Sequence, residues 1–224
     1  MTKPALIELV NAALVSIGQE PVVSLDDDST VSATVTAVRA LVNICKRELL
    51  RACDWNCARV TRRLVKLAPS REIIGWKYAY RLPEDPECLR VVQISIDGGE
   101  TFIDLDEYYN RNAGPKESLF DIDGANLVCN AEDVCIKYTG DIDVSLFDAN
   151  LASAFVAALA AELCYTLPAS VSLAEYRSRI ARQKLKTARS NNALDRNTGD
   201  KVGEVLGARY YGSMDDRLRV DMTT

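Results

Sequence analysis

Histidine is missing from all 224 residues of this chain. Its absence removes the usual general base at neutral pH, the common Ser-His and Cys-His nucleophile pairs, and every imidazole metal ligand. The eleven glycines form neither a Walker-type phosphate loop nor a dinucleotide-binding spacing. A basic excess is missing too: 27 Lys and Arg stand against 32 Asp and Glu, a formal net charge of -5. Any affinity for nucleic acid or an anionic surface must therefore be local. Near the N-terminus Pro4, Glu8 and Asn11 interrupt the one stretch that resembles a signal peptide, which places the chain in the cytoplasm where it is made. The most apolar stretch, Ala149 to Leu167, is broken by Asn150, Ser153 and Glu162, so it reads as a buried helix and no membrane partner is expected.

Paired cysteine spacing is absent as well. Seven cysteines, at 45, 53, 57, 88, 129, 135 and 164, make an odd set without an export signal, so free thiols are expected. Cys53 and Cys57 form a loose CxxxC and Cys129 and Cys135 lie wider still, which favours core filling over zinc. No metal and no cofactor are implied. Three consecutive aspartates, Asp26 to Asp28, lack the rest of a calcium loop; they read instead as complements to a helix N-terminus that Ser29 or Thr30 caps.

What the chain has is a 48% hydrophobic composition, enough for one large domain or two small ones with a real core. Pro4 opens a first helix whose apolar face is Leu6, Val10, Ala13, Leu14 and Ile17, with Gly18 as the stop. Val31, Val35, Val38, Val42, Cys45, Leu49 and Ala52 then step by four and three, predicting a long second helix. From Asp54 to Thr139 the segments KYAYRLP, RVVQISID, LFDID, NLVC and VCIKYTG predict short strands, with turns at Asp97-Gly98-Gly99 and Asp123-Gly124. From Ser145 a stretch apolar nearly all round predicts the central helix, in which Ala154, Ala157, Ala158 and Ala161 allow close approach, and Pro168 ends it. A capping box of Ser172 and Glu175 starts a fourth helix with Leu173, Tyr176 and Ile180 inward.

The expected fold is α+β: an antiparallel four-helix bundle (residues 1–53 and 145–192), a small antiparallel β meander inserted in it (54–144), and an extended C-terminal tail (193–224). Trp55 acts as a wedge where bundle meets insertion, with Cys53 and Cys57 filling small gaps beside it. The fourth helix carries Arg177, Arg179, Arg182, Lys184, Lys186 and Arg189, which would support a nucleic-acid-binding module; their place towards a helix C-terminus also suits its dipole. Asp104, Asp106 and Glu107 are the acidic residues that a cell-wall hydrolase would use without histidine, and they read equally as a solvated loop.

The stretches ALVSIGQEPVVSLDDDS, LLRACDWNCARV, GWKYAYRLPEDPECLRV and IKYTGDI, with the alanine-rich helix containing AAELCYTL, resemble in order and spacing the tail tubular protein A family of short-tailed bacteriophages. The resemblance covers most of residues 4 to 190, and the SLDDDS loop and the Trp-Asn junction are its more specific parts. It implies a virion protein without catalytic activity, a head-to-tail adaptor assembled in the host cytoplasm. It further implies a homo-oligomeric ring, a dodecamer, between the portal protein and the tail nozzle protein, with genomic DNA passing through at ejection without sequence-specific binding. On that reading the polar tail is a docking arm, and Leu206, Arg209, Tyr210, Tyr211, Arg217, Leu218 and Arg219 are its portal-binding residues.

Overall fold

The computed structural model describes residues 5–25, 32–67, 75–110, 118–167 and 170–215. The first helix, α1 (Leu6–Ser16), buries Leu9, Val10, Ala13 and Leu14. Glu8 folds back so that its carboxylate accepts from the Ala5 N–H (3.1 Å), satisfying one of the orphan donors at the helix start. Asn11 holds the chain that returns from α1: its amide donates to the Val22 carbonyl (2.9 Å) and accepts from the Val22 N–H (2.8 Å).

The second helix, α2 (Ala33–Arg51), buries Val35, Val38, Val42, Cys45 and Leu49, the stripe that steps by three and four. Its cap is Ser32, whose hydroxyl accepts from the Val35 N–H (3.2 Å). This corrects the expectation of Ser29 or Thr30, which with Asp26 to Asp28 lie outside the described residues.

Strands β1 (Arg59–Arg63), β2 (Val65–Lys66), β3 (Tyr78–Arg81), β4 (Cys88–Ser95), β5 (Ile103–Asp104), β6 (Phe120–Asp123), β7 (Asn126–Cys129) and β8 (Cys135–Gly140) follow, with the short helix α3 (Leu105–Asn110) after β5. They form two four-stranded sheets, ordered β1-β8-β4-β5 and β2-β3-β7-β6, and every pairing is antiparallel. The single meander expected from the turn spacing is therefore corrected. The reason lies at Leu64: its side chain turns inward and its N–H donates to the Val134 carbonyl (2.8 Å), so one extended run leaves the first sheet as β1 and enters the second as β2. Both sheets contribute to one core, with Ile94, Ile136 and Tyr138 from the first and Tyr80, Leu127 and Cys129 from the second.

The last two helices are α4 (Ala149–Thr166) and α5 (Val171–Asp215). Asp148 caps α4 by accepting from the Asn150 and Leu151 N–H groups (both 2.9 Å). The helix is long and apolar enough to cross a membrane by composition. Here its apolar surface is used inside the fold, packed against α1, α2 and α5. α5 runs antiparallel to it, as contacts of Asn191 with Asn150 and of Ser178 with Tyr165 show.

This arrangement corrects the four-helix bundle. There are five α-helices among the described residues, and α1, α2 and α5 each make their main packing against α4. A helix apolar on all sides becomes a hub surrounded by others, whereas a square bundle needs four helices each with one apolar stripe. The Ser172–Glu175 capping box is corrected too: the cap lies two residues earlier, at Ser170, whose hydroxyl accepts from the Leu173 N–H (3.3 Å). Tyr176, expected inward, is 50% exposed, and Ala174 is buried in its stead.

The extended tail is likewise corrected, because α5 continues without a break to Asp215. Residues 171–215 contain no proline, and Gly199, Gly203 and Gly207 each cost about 1 kcal/mol against alanine, which weakens a helix without ending it. Truncation after Asp195 removes the helical stretch 196–215, so far-ultraviolet circular dichroism should lose helical signal in proportion. The thermal midpoint of the remainder should stay within about 2 °C, since those residues lie past the start of α4.

Candidate functional site

The last turn of α2 delivers the chain into the RACDWNCARV stretch. Ala52 closes the helix by donating to the carbonyls of Glu48 and Leu49, and Cys53 and Asp54 turn the backbone. Trp55 then enters the core with no exposed surface. A buried indole needs a partner for its one donor, and Nε1–H finds the Leu49 carbonyl at 2.8 Å. A 3-10 turn, Asn56–Ala58, leads into β1. Arg59 on β1 reaches back to the Asp54 carboxylate, closing the corner with an ion pair. The tryptophan thus ties the end of the long helix to the first strand.

A second tie comes from 136 residues away. Asn192 on α5 is only 6% exposed, so its amide must be satisfied inside the protein. Its Oδ1 accepts from the Asn56 backbone N–H (2.8 Å), its Nδ2 donates to the Asp54 carbonyl (2.8 Å), and its own carbonyl accepts from Asn56 Nδ2 (3.0 Å). One turn earlier, Arg189 donates to the Ala52 carbonyl (2.6 Å), setting a cation on the negative end of α2. Asn191 donates to Asn150 Oδ1 (3.0 Å) at the start of α4. The site therefore joins α2, β1, α4 and α5, beside a recess of about 280 Å³ lined by Arg90, Asp106, Arg189 and Asn192 among others.

Sequence reasoning named Trp55, Cys53 and Cys57 here and missed Asn192, which it used only as the last residue of the helical bundle. No local pattern couples positions so far apart. Cys53 and Cys57 are half-buried and pack against the helical core. Burial pushes the Cys57 thiol up, and it pushes Cys45 up to about 12 and Cys88 up to about 11. Thiols held neutral at physiological pH are poor nucleophiles and poor metal ligands. Among the described residues no three His, Cys, Asp or Glu side chains cluster as metal ligands would.

The acidic candidates have structural partners. Asp104 accepts from the Glu107 N–H (3.1 Å) at the start of α3 and from the Gln93 amide (3.2 Å), and Asp106 pairs with Arg90 (2.7 Å). Of the basic residues on α5, Arg177 turns inward to the Ser16 carbonyl, while Arg179, Arg182, Lys184 and Lys186 are exposed. Leu206, Arg209, Tyr210 and Tyr211 lie on the distal part of α5; Arg217, Leu218 and Arg219 lie outside the described residues. Neither a scan against protein-family models nor a search of curated proteins finds a match to this chain.

Replacing Asn192 with Ala leaves the Asn56 N–H and the Asp54 carbonyl without their partner at a part-buried junction, and should cost about 1 to 3 kcal/mol. Replacing Asn56 as well should add less than its separate effect, a coupling of about 1 to 2 kcal/mol read from urea midpoints at constant slope. The Cys53→Ala/Cys57→Ala double variant should lose only about 1 to 2 kcal/mol and should contain no stoichiometric zinc before or after the change, checked by metal analysis.

Proposed function

We propose that this chain is a head-to-tail adaptor of a short-tailed phage: a structural, non-enzymatic subunit of a ring, a dodecamer, between the portal and the tail nozzle, with DNA passing through its centre. The resemblance over residues 4 to 190 motivates the reading, and one structural observation carries it further. α5 is locked to the body at Asn192 and then continues for 23 residues, from Ala193 to Asp215, about 35 Å at 1.5 Å per residue. The start of α4 lies beside Asn191, so α4 offers this distal helix nothing to pack on.

A helix that continues past the start of α4 suits an arm that docks on a neighbour. The portal-binding residues would be Leu206, Arg209, Tyr210 and Tyr211 on that helix, followed by Arg217, Leu218 and Arg219; tyrosine and arginine are the side chains most enriched at interface anchors. The net charge of -5 makes identical subunits repel, so the chain alone stays mainly monomeric and the ring forms on the portal template.

Electron microscopy of the chain mixed with its cognate portal should show a ring co-axial with the portal, and sedimentation of the chain alone should show chiefly monomer. The chain truncated after Asp195 should keep its core melting transition and lose portal binding. Near-normal ring formation by the truncated chain would move the contact to the helical core or the β unit, and absence of any co-axial ring with the full chain would remove the adaptor reading.

A further inference from the structure

Residues 176–194 of α5 carry six cations and no acid, in a chain whose net charge is -5. Two of the six are engaged inside the protein, Arg177 with the Ser16 carbonyl and Arg189 with the Ala52 carbonyl. The other four, Arg179, Arg182, Lys184 and Lys186, are exposed, and none forms an ion pair among the described residues. Arg182 borders a recess that Glu48 and Glu162 also line, yet it pairs with neither. Glu175, one turn before Arg179, does not pair with it either.

The helix dipole does not account for these charges. Its field favours cations within the last turn of a helix, and α5 runs on to Asp215, 29 residues past Lys186. Arg179, Arg182 and Lys186 are spaced i, i+3 and i+7, so they fall on one stripe of the helix, about 10 Å long at 1.5 Å per residue, with Gln183 beside them. Like charges at this spacing repel. The counter-charge that would relieve the repulsion is not supplied within ion-pair distance by the described residues, so it comes from outside the chain.

We propose that the stripe Arg179, Arg182 and Lys186, flanked by Lys184, is a sequence-independent contact for the phosphate backbone of duplex DNA. Base pairs rise about 3.4 Å each along the axis, so a stripe of this length meets about three phosphates of one strand. The composition around it selects this occupant over two other anionic ones. Every exposed position from 179 to 190 holds Arg, Lys, Gln, Thr or Ser. A helix that lies on lipid sets Trp, Phe or Leu beside its cations, whereas the apolar residues here, Leu185 and Ala188, belong to the helical core. A protein interface is enriched in aromatic residues and depleted in lysine at its centre, and this face has lysine and no aromatic. Cations with polar donors between them are what a phosphate backbone takes.

This inference rests on the reading above that DNA passes through the ring, for which it names the contacting surface, and its test separates the two. Fluorescence anisotropy of a labelled duplex should show binding by the full chain with a Kd of about 10⁻⁴ to 10⁻⁶ M near physiological salt, equal for unrelated sequences. Log affinity should fall against log salt with a slope of about -3, roughly 0.9 per phosphate contact. The Arg179→Gln/Arg182→Gln/Lys186→Gln variant should bind at least about tenfold more weakly at about 50 mM salt and show a slope of about -1 or flatter. The charge-keeping Arg179→Lys/Arg182→Lys/Lys186→Arg variant should bind as the unmodified chain does, which separates lost charge from lost fold. Arg62→Gln/Arg63→Gln/Lys66→Gln, the same loss of charge on β1 and β2, should leave binding unchanged. No binding by the full chain at about 50 mM salt, undiminished binding by the glutamine variant, an equal loss from the β1 and β2 variant, or binding to anionic-lipid vesicles but not to the duplex would each overturn the proposal. Duplex binding through the stripe by a chain that forms no ring on the portal would keep the contact and remove the adaptor reading; a ring on the portal from a chain that binds no duplex would do the reverse.

Discussion

A buried amide cannot be left unsatisfied, and the placement of α5 depends on that constraint. Asn192 has four hydrogen-bonding positions on its side chain and lies in a setting where water does not reach them. It finds partners in Asp54 and Asn56, at the point where α2 becomes β1. The geometry is specific where apolar contact alone is not. Apolar packing of α5 on α4 would tolerate a slide along the helix, because the buried positions of the two helices include Ala154, Ala161, Ala174 and Ala188, small side chains with little shape to lock. The Asn192 bonds define the register, and so determine how much of α5 lies over α4 and how much extends beyond it.

Around this point the protein is divided into two cores. Trp55 belongs to the helical one, with Leu50, Ala58, Leu89 and the central helix, while Leu64 only nine residues later belongs to the β one. The junction thus sets the orientation of the sheets relative to the helices. Ion pairs between Arg47 and both Glu87 (2.6 Å) and Asp141 (3.1 Å) brace the same boundary from the other side. The Arg47 guanidinium holds the Glu87 carboxyl below its usual range. That pair is exposed and contributes little by itself. The boundary is maintained chiefly by the buried tryptophan and the buried asparagine.

The helical stripes were legible in the sequence because each is a local pattern. Val35, Val38, Val42, Cys45 and Leu49 share a face in any α-helix, whatever surrounds it. The same holds for the Asp123-Gly124 hairpin, where Gly124 takes a φ of +61° that side chains with Cβ rarely adopt. RVTRRLVK was not legible as a strand: its arginines mask the alternation, and its outer side meets solvent, so no hydrophobic pattern was required of it. The distal part of α5 failed for the opposite reason. Polar residues and recurrent glycines suggested a tail, yet with no proline and many residues tolerant of the helix nothing in the stretch enforces a stop.

By itself the sequence determined the kinds of element present and the chemistry withheld from them. Apolar spacing specifies a helix or a strand within a few residues, and a chain without histidine has no imidazole in any fold. Only the tertiary structure decided that α4 is a hub in place of one wall of a bundle, that one run of chain serves two sheets, and that Asn192 closes on Asn56. Each of these depends on which distant surfaces meet, and the free energy of such a meeting resides in pairs of residues, such as 56 and 192, that have no order or spacing along the chain to reveal them.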